Sequence, residues 1–291
     1  MLNVLLTNDD GIGAEGLEAM RRALVALPGV NLAVIAPDGN RSATARSITT
    51  NRPLWVEEVG FADSSTGYAI DGTPVDCVRL ASLGLIEDFQ TEVVVSGINH
   101  GNNLGDDITY SGTVAAALEG LVLGLPAVAV SQQLPGSDRK PPTQPLHFDY
   151  AAGFVARLVQ RLGEVPMPSG TLLNVNVPVG TPSGVEVARL GKRVYRDELT
   201  LEREESGPPP RRRYWIYGHD PGFHDDPGTD LAAIAAGRVA VTPLHFDLTY
   251  GPGVESLRSF DLDSLLAPVA PVRQPAVTPV TAVTGVDSER G

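Results

Sequence analysis

The sequence predicts an α/β fold: a Rossmann-like, doubly wound and mostly parallel sheet, followed by a C-terminal extended hairpin arm. Three observations carry this. Short apolar runs of strand length recur through the first 180 or so residues, which is how strands covered on both faces read. Between them lie stretches whose apolar residues fall at helical spacing. The runs end in polar, glycine-bearing turns, and an open parallel sheet gathers its ligands at the carboxyl ends of its strands.

The elements follow in order. Leu2 to Leu6 is a buried strand ended by Asn8-Asp9-Asp10-Gly11, strong turn chemistry. From Glu15 onward Leu17, Met20, Leu24 and Leu27 form a helix face, Pro28-Gly29 stops it, and Val30 to Ala36 is the next strand, which completes a βαβ unit. Val93 to Ser96 is a strand, Val114 to Leu123 a small-residue helix closed by Gly124, and Ala127 to Val130 a strand. Tyr150, Phe154, Val155, Leu158 and Leu162 form another helix face, and Leu172 to Val177 closes the parallel sheet near Pro178.

Residues 1–180 are therefore read as the Rossmann-like core. Residues 181–250 are read as an arm that returns to the core. In it, Val185 to Leu190 and Arg213 to Tyr217 are strands of mixed polarity separated by the charged stretch 196–212, an extended hairpin. Thr229 to Ala236 is a short helix with Asp230 in its first turn, and Val239 to Thr242 a strand that rejoins the sheet. Residues 251–291 hold a short helical segment and then, from Ala267, a Pro-punctuated Val/Thr/Ala stretch that reads as a disordered tail.

Composition excludes several classes. With 291 residues and 42% apolar content the chain can bury a sizeable core without staples. A formal charge of -13 argues against binding nucleic-acid polymers, which needs clustered Lys and Arg. The single cysteine, Cys77, permits no internal disulfide, no leader-like stretch precedes the first strand, and no apolar run approaches the roughly 20 residues that span a bilayer. A cytoplasmic protein without membrane partners is the expectation.

Three polar runs follow predicted strands: Thr7 to Gly11, Pro37 to Ser42, and Ser96 to Asn103. Together they offer carboxylates, a hydroxyl and a carboxamide, oxygen donors that suit a hard divalent cation such as Mg²⁺ or Mn²⁺. Asp-Asp-Gly alone is more often a turn, so the weight lies in the coincidence of three runs. Thr109-Tyr110-Ser111-Gly112-Thr113 stands before a helix start, where free N–H groups, glycine and hydroxyls make an anion cradle; taken alone it is more often a helix cap. Gly11-Ile12-Gly13-Ala14-Glu15-Gly16 fits the dinucleotide fingerprint, with Asp38 near the ribose-reading place. Two carboxylates directly before those glycines repel a pyrophosphate, so a non-catalytic nucleotide- or dinucleotide-binding module ranks second. His100 receives no role, Arg41 divides evenly between phosphate ligand and solvated charge, and Cys77 reads as packing rather than nucleophile.

The stretch Leu5 to Ile12 with Gly16-Leu17 resembles the opening of the survival protein SurE family of 5'/3'-nucleotidases. Ala36-Pro37-Asp38 with Asn40-Arg41-Ser42, Gly72-Thr73-Pro74 with Asp76-Cys77-Val78, and Ser96-Gly97-Ile98-Asn99 with Gly101, Asn103, Leu104 and Gly105 are similar to it in order. So are Tyr110 to Val114 with Ala116, Ala117, Glu119 and Gly120, and Thr242-Pro243-Leu244 with Asp247-Leu248-Thr249. The resemblance implies a divalent metal, Mg²⁺ or Mn²⁺, held by Asp9, Asp10, Ser42 and Asn99, with Asp9 and Asp10 catalytic. It implies substrate contacts at Asn8, Asn103, Ser111, Gly112 and Thr113. It implies hydrolysis of nucleoside 5'- and 3'-monophosphates, sometimes of short polyphosphate, by a homodimer or homotetramer with an exchanged C-terminal arm. The loop after Ser42 departs from the pattern: Ala43 stands where the family usually has glycine, and Ala45 lacks the hydroxyl of the serine usual there.

Overall fold

The computed structural model describes residues 1–136, 146–195, 198–216 and 222–266. Residues 1–246 form one compact unit and 247–291 a second.

The strands are β1 (Leu2–Thr7), β2 (Val30–Pro37), β3 (Val56–Gly60), β4 (Thr66–Ile70), β5 (Val93–His100), β6 (Ala127–Gln132), β7 (Thr171–Val177), β8 (Val185–Val187), β9 (Arg193–Val194), β10 (Thr200–Glu205), β11 (Arg211–Trp215), β12 (Gly222–Phe223) and β13 (Val239–His245). The helices are α1 (Glu15–Val25), α2 (Pro74–Ser82), α3 (Gly112–Val122), α4 (Asp149–Gln160) and α5 (Asp230–Ala235), with α6 (Gly251–Arg258) in the second unit. Nine strands form one sheet in the order β3-β4-β2-β1-β5-β6-β7-β13-β8. From β4 to β7 all neighbours are parallel. β3 and β13 run antiparallel to β4 and β7, so the sheet is mixed but mostly parallel.

Alternation along the strands divides the core into two layers. Val4 and Leu6 of β1, with Val34 and Ala36 of β2, pack under Leu17, Met20 and Leu24 of α1 and Val155 and Val159 of α4. Leu5 and Ile35 point the other way, onto Cys77 and Val78 of α2 and Val114, Ala116 and Ala117 of α3. Neighbouring residues of one strand thus serve opposite helices, as a sheet covered on both faces requires. Thr73 starts α2 with a reciprocal capping box to Asp76, ahead of Pro74 in the first turn.

The arm differs from expectation in its pairing. Val185–Val187 does not belong to a hairpin; β8 joins the edge of the main sheet, parallel to β13. The partner of β11 is β10, inside the stretch expected to be a charged separator. Charge hides it: Glu204 lies opposite Arg212 and bonds it at 2.8 Å, and Arg213 meets Glu202 at 2.8 Å. Cross-strand ion pairs replace the apolar alternation by which strands are recognised. The antiparallel pair β3–β4 is a further addition to the expected elements; its outer strand is almost wholly exposed and carries no apolar stripe. β13 rejoins the sheet beside β7 as expected. The Pro-rich tail lies outside the described residues.

Candidate active site

The chain leaves β1 for β2 on one side, and β5 pairs with β1 on the other, so the strand order reverses between β1 and β5. Ligands of open α/β sheets bind outside the carboxyl ends of the strands at such a crevice. Asp9 and Asp10 follow β1 and Asn99 lies near the end of β5, so topology alone brings them together.

The turn after β1 is braced from within. Asn8 is fully buried, and its carboxamide donates to the Gly11 carbonyl at 2.9 Å and accepts from the Gly11 N–H at 3.2 Å. Gly11 has φ +105 and passes so close to Gly39 that a Cβ there would lie 3.0 Å from its backbone.

Asp9 is 3% exposed and sits against the start of α3. The Thr113 hydroxyl donates to its Oδ1 at 2.5 Å, and a Cβ on Gly112 would come within 2.8 Å of its Oδ2. Burial pushes the Asp9 carboxyl up to about 6, the Thr113 bond acts against this, and the charge of Asp10 adds to the rise. Asp10 is held at both oxygens: the His100 N–H donates to Oδ2 at 3.0 Å and Asn40 Nδ2 reaches Oδ1 at 3.4 Å. Asn99 spends Nδ2 on the Gly101 carbonyl at 2.8 Å, which leaves Oδ1 as the end open to a ligand.

Ser42 is tied to the same place. The preceding residue, Arg41, donates its N–H to the Asp9 carbonyl at 2.6 Å, and the Ser42 N–H donates to Asn40 Oδ1 at 2.9 Å. Farther along, Ala45 N–H bonds the Tyr110 carbonyl at 3.0 Å, and Arg46 pairs with the fully buried Glu119 of α3, which Arg79 meets at 2.8 Å. Both alanines that depart from the resemblance have positive φ, 57 at Ala43 and 51 at Ala45. Left-handed backbone favours glycine, so the loop carries strain where a glycine is usual.

The resulting donor set is two carboxylates, a carboxamide oxygen and a hydroxyl. Among the described residues no group of three or more His, Cys, Asp or Glu side chains could hold a metal. That chemistry fits a hard cation bound with water and substrate oxygens better than zinc.

A family model described as Survival protein SurE matches residues 4–197. The chain belongs to the SurE family. A protein named 5'-nucleotidase SurE from Rubrobacter xylanophilus is 50% identical over 273 residues, which cover 91% of this chain and 99% of that one. A protein of the same name from Herpetosiphon aurantiacus is 46% identical over 254 residues, 85% of this chain and 94% of that one. The crystal structure of the SurE protein from Aquifex aeolicus matches with a TM-score of 0.71 at 36% identity, over 88% of this chain and 98% of that chain.

Within this SurE fold several expected substrate contacts have other partners. The Ser111 hydroxyl accepts from the Val114 N–H at 3.1 Å, an N-cap that leaves its own O–H to donate, whereas Thr113 gives its O–H to Asp9. Asn103 is 8% exposed and donates to Ser131 at 2.8 Å, while its backbone meets Asn174 and Asn176 of β7. Arg41 bonds Asp38 at 2.5 Å and the Gly72 carbonyl at 3.2 Å, a brace for the loop. Burial pushes the Cys77 thiol up, as befits a packing residue.

Sequence reasoning assigned no role to four contributors. His100 supports Asp10 through its N–H, accepts the Gly16 N–H on Nε2 at 3.2 Å and stacks on Phe148 at 5.0 Å. Asn40 links Ser42 to Asp10. Asn174 and Asn176 hold the loop after β5, and a signal existed for them: two asparagines in an otherwise apolar strand need buried partners.

Proposed function

We propose that this chain is a 5'-nucleotidase, a divalent-metal-dependent phosphomonoesterase that hydrolyses nucleoside 5'- and 3'-monophosphates and also accepts short polyphosphate. One observation carries the reading. Asp9, Asp10, the Ser42 loop and the β5 end that bears Asn99 are joined by direct hydrogen bonds at the point where the strand order reverses. Names of relatives 46–50% identical over most of the chain support it.

Asp9, Asp10, Ser42 and Asn99 are the residues that would hold the cation, Mg²⁺ or Mn²⁺. When bound, such an ion polarises a phosphoryl oxygen and acidifies a water. The residues divide the remaining work by their burial. Asp9 is walled in by Gly112 and Thr113, so it serves as a fixed anion. Asp10 lines a cleft of about 630 Å³ with Gly13, Glu15, Asp38, Asn40 and His100. It is therefore the carboxylate placed to orient the attacking water and receive its proton. The start of α3 acts through Asp9, lending its positive end to the corner where the phosphoryl group lies. Asn8 and Asn103 act as braces for the two loops.

A dinucleotide-binding module is the weaker reading, because the cleft beside the fingerprint glycines carries Asp10, Glu15 and Asp38. The cytoplasm is the proposed location; among the described residues no helix is long and apolar enough to cross a membrane. A homodimer or homotetramer built through the hairpin is supported by its exposed Leu201, Tyr214 and Trp215.

The test is phosphate release from a panel of nucleoside monophosphates, with and without Mg²⁺ or Mn²⁺, for the native chain and Asp9→Asn. Metal-dependent release that the substitution abolishes is the expected outcome. Absence of release with every metal would overturn the reading in favour of a binding module.

A further inference from the structure

We propose that Trp55 is the platform on which the nucleobase of the substrate stacks, with Asp38 reading the ribose between it and the catalytic cleft. The inference rests on the nucleotidase reading above and adds a base subsite to it.

Two cavities adjoin at Asp38. The cleft of about 630 Å³ that contains Asp10 has Asp38 in its wall, and so does a second hollow of about 380 Å³ lined by Trp55, Val56, Glu57, Ala69 and Asp71. Both open on the same side of the sheet. Ile35 and Ile70 point to the α2–α3 layer, so by alternation Ala69 points to the α1 side, as Val34 and Ala36 do. Glu57 lies opposite Ala69, and Trp55, two residues earlier along the chain, shares that face. The start of α1 lines the first cleft, whose wall includes Gly13, Ala14 and Glu15.

The hollow has the form of a stacking site. Ala69 is small and buried, which makes a flat floor, and Trp55 is 82% exposed. Its backbone is fixed all the same. The Trp55 N–H donates to Asp71 Oδ1 at 2.8 Å, its carbonyl accepts from the Asp71 N–H at 3.3 Å, and Arg52 holds Asp71 at 2.6 Å. A large apolar surface presented to water on a rigid support gains most by being covered with another flat ring.

Spacing selects the occupant. β1, β2 and β4 are adjacent, and two strand spacings amount to about 10 Å. That is the reach from the phosphate of a nucleotide, across its ribose, to its base. A phosphate at Asp10 then brings the ribose to the end of β2 and the base over Ala69 of β4, with Trp55, which continues β3 one strand farther out, as the outer wall of the hollow. Arg41 occupies one oxygen of Asp38 at 2.5 Å and leaves the other to accept a ribose hydroxyl. This is the use to which an acidic residue at the end of the second strand is put in dinucleotide folds, here on a mononucleotide.

The chain has two tryptophans, so Trp215→Phe leaves Trp55 as the sole indole reporter. Adenosine is expected to quench its emission saturably and ribose to leave it unchanged. In parallel, Trp55→Ala is expected to lower kcat/KM for adenosine 5'-monophosphate about tenfold relative to that for ribose 5-phosphate, which carries a hydroxyl in place of the base. Absence of quenching, or an unchanged ratio, overturns the base site while hydrolysis of both esters leaves the nucleotidase reading standing. A native protein that hydrolyses neither ester overturns the nucleotidase reading, and the adenosine titration then decides the base site alone.

Discussion

Replacing Asp9 by asparagine removes a charge that the fold holds at a cost. In metal-free protein burial raises the carboxyl from 3.8 to about 6, a difference worth about 3 kcal/mol. The native state keeps a proton between those values that the unfolded chain gives up. Stability therefore falls as pH climbs through that window, and the whole cost is present above about pH 6. The Asp9→Asn variant would escape the cost but would turn an amide NH₂ toward Gly112 and the start of α3, a penalty of about 1–2 kcal/mol that does not vary with pH. The slope thus isolates the ionisation. Urea unfolding of both proteins in chelator, from about pH 3.5 to 8, should show the difference shifting by about 3 kcal/mol in favour of Asp9→Asn between roughly pH 4 and 6 and then levelling. Saturating Mn²⁺ should raise the stability of the native chain alone. A difference that stays flat across pH would refute the claim that Asp9 is a desolvated anion awaiting a cation.

Four further outcomes follow from the same geometry. Thr113→Val removes the bond that holds Asp9 down, so the Asp9 carboxyl, followed by NMR titration of metal-free protein, should move further up from about 6. Gly16→Ala puts a Cβ 2.1 Å from the Ile98 carbonyl oxygen and should cost about 3 kcal/mol in urea unfolding, because backbone stands on both sides. Ala43→Gly relieves a left-handed alanine and should stabilise by about 1 kcal/mol, read as a raised urea midpoint. Arg46→Ala should weaken Mn²⁺ binding in calorimetry more than Arg79→Ala does: both pair with Glu119, but only Arg46 belongs to the Ser42 loop.

The central sheet is legible in the sequence because its strands are covered on both faces. Leu2–Thr7, Val30–Pro37 and Val93–His100 are rich in apolar residues through most of their length, and the helices between them carry period 3.6. β10 is not legible, since Glu202 and Glu204 answer arginines across the strand pair and leave no apolar stripe. The three polar runs that contain Asp9, Asp10, Ser42 and Asn99 can be picked out at the ends of predicted strands, a position that topology converts into proximity, while the choice of those four residues within the runs is what the family resemblance implies. What each hydroxyl or carboxamide bonds cannot be picked out. Thr113 is 104 residues from Asp9 and Asn103 is 73 from Asn176, and nothing local distinguishes a threonine aimed at a carboxylate from one aimed at a phosphate.

The fingerprint glycines show where sequence pattern and chemistry part company. Gly11 is needed for a positive φ beside Gly39, and Gly16 because the start of α1 passes against the end of β5; both are packing demands of a strand–turn–helix crossing. A fold meets those demands whether or not a pyrophosphate lies on the turn. Charge decides between ligands. In dinucleotide folds the first turn of the helix meets an anion directly. Here the Gly16 N–H is given to His100, and His100 gives its own backbone N–H to Asp10. The positive end of α1 is thus coupled through one histidine to a carboxylate of the protein itself. At α3 the contact is direct: Thr113 in the first turn donates its hydroxyl to Asp9. Two helix starts thus face two adjacent carboxylates in one crevice, the arrangement on which the proposed cation site rests.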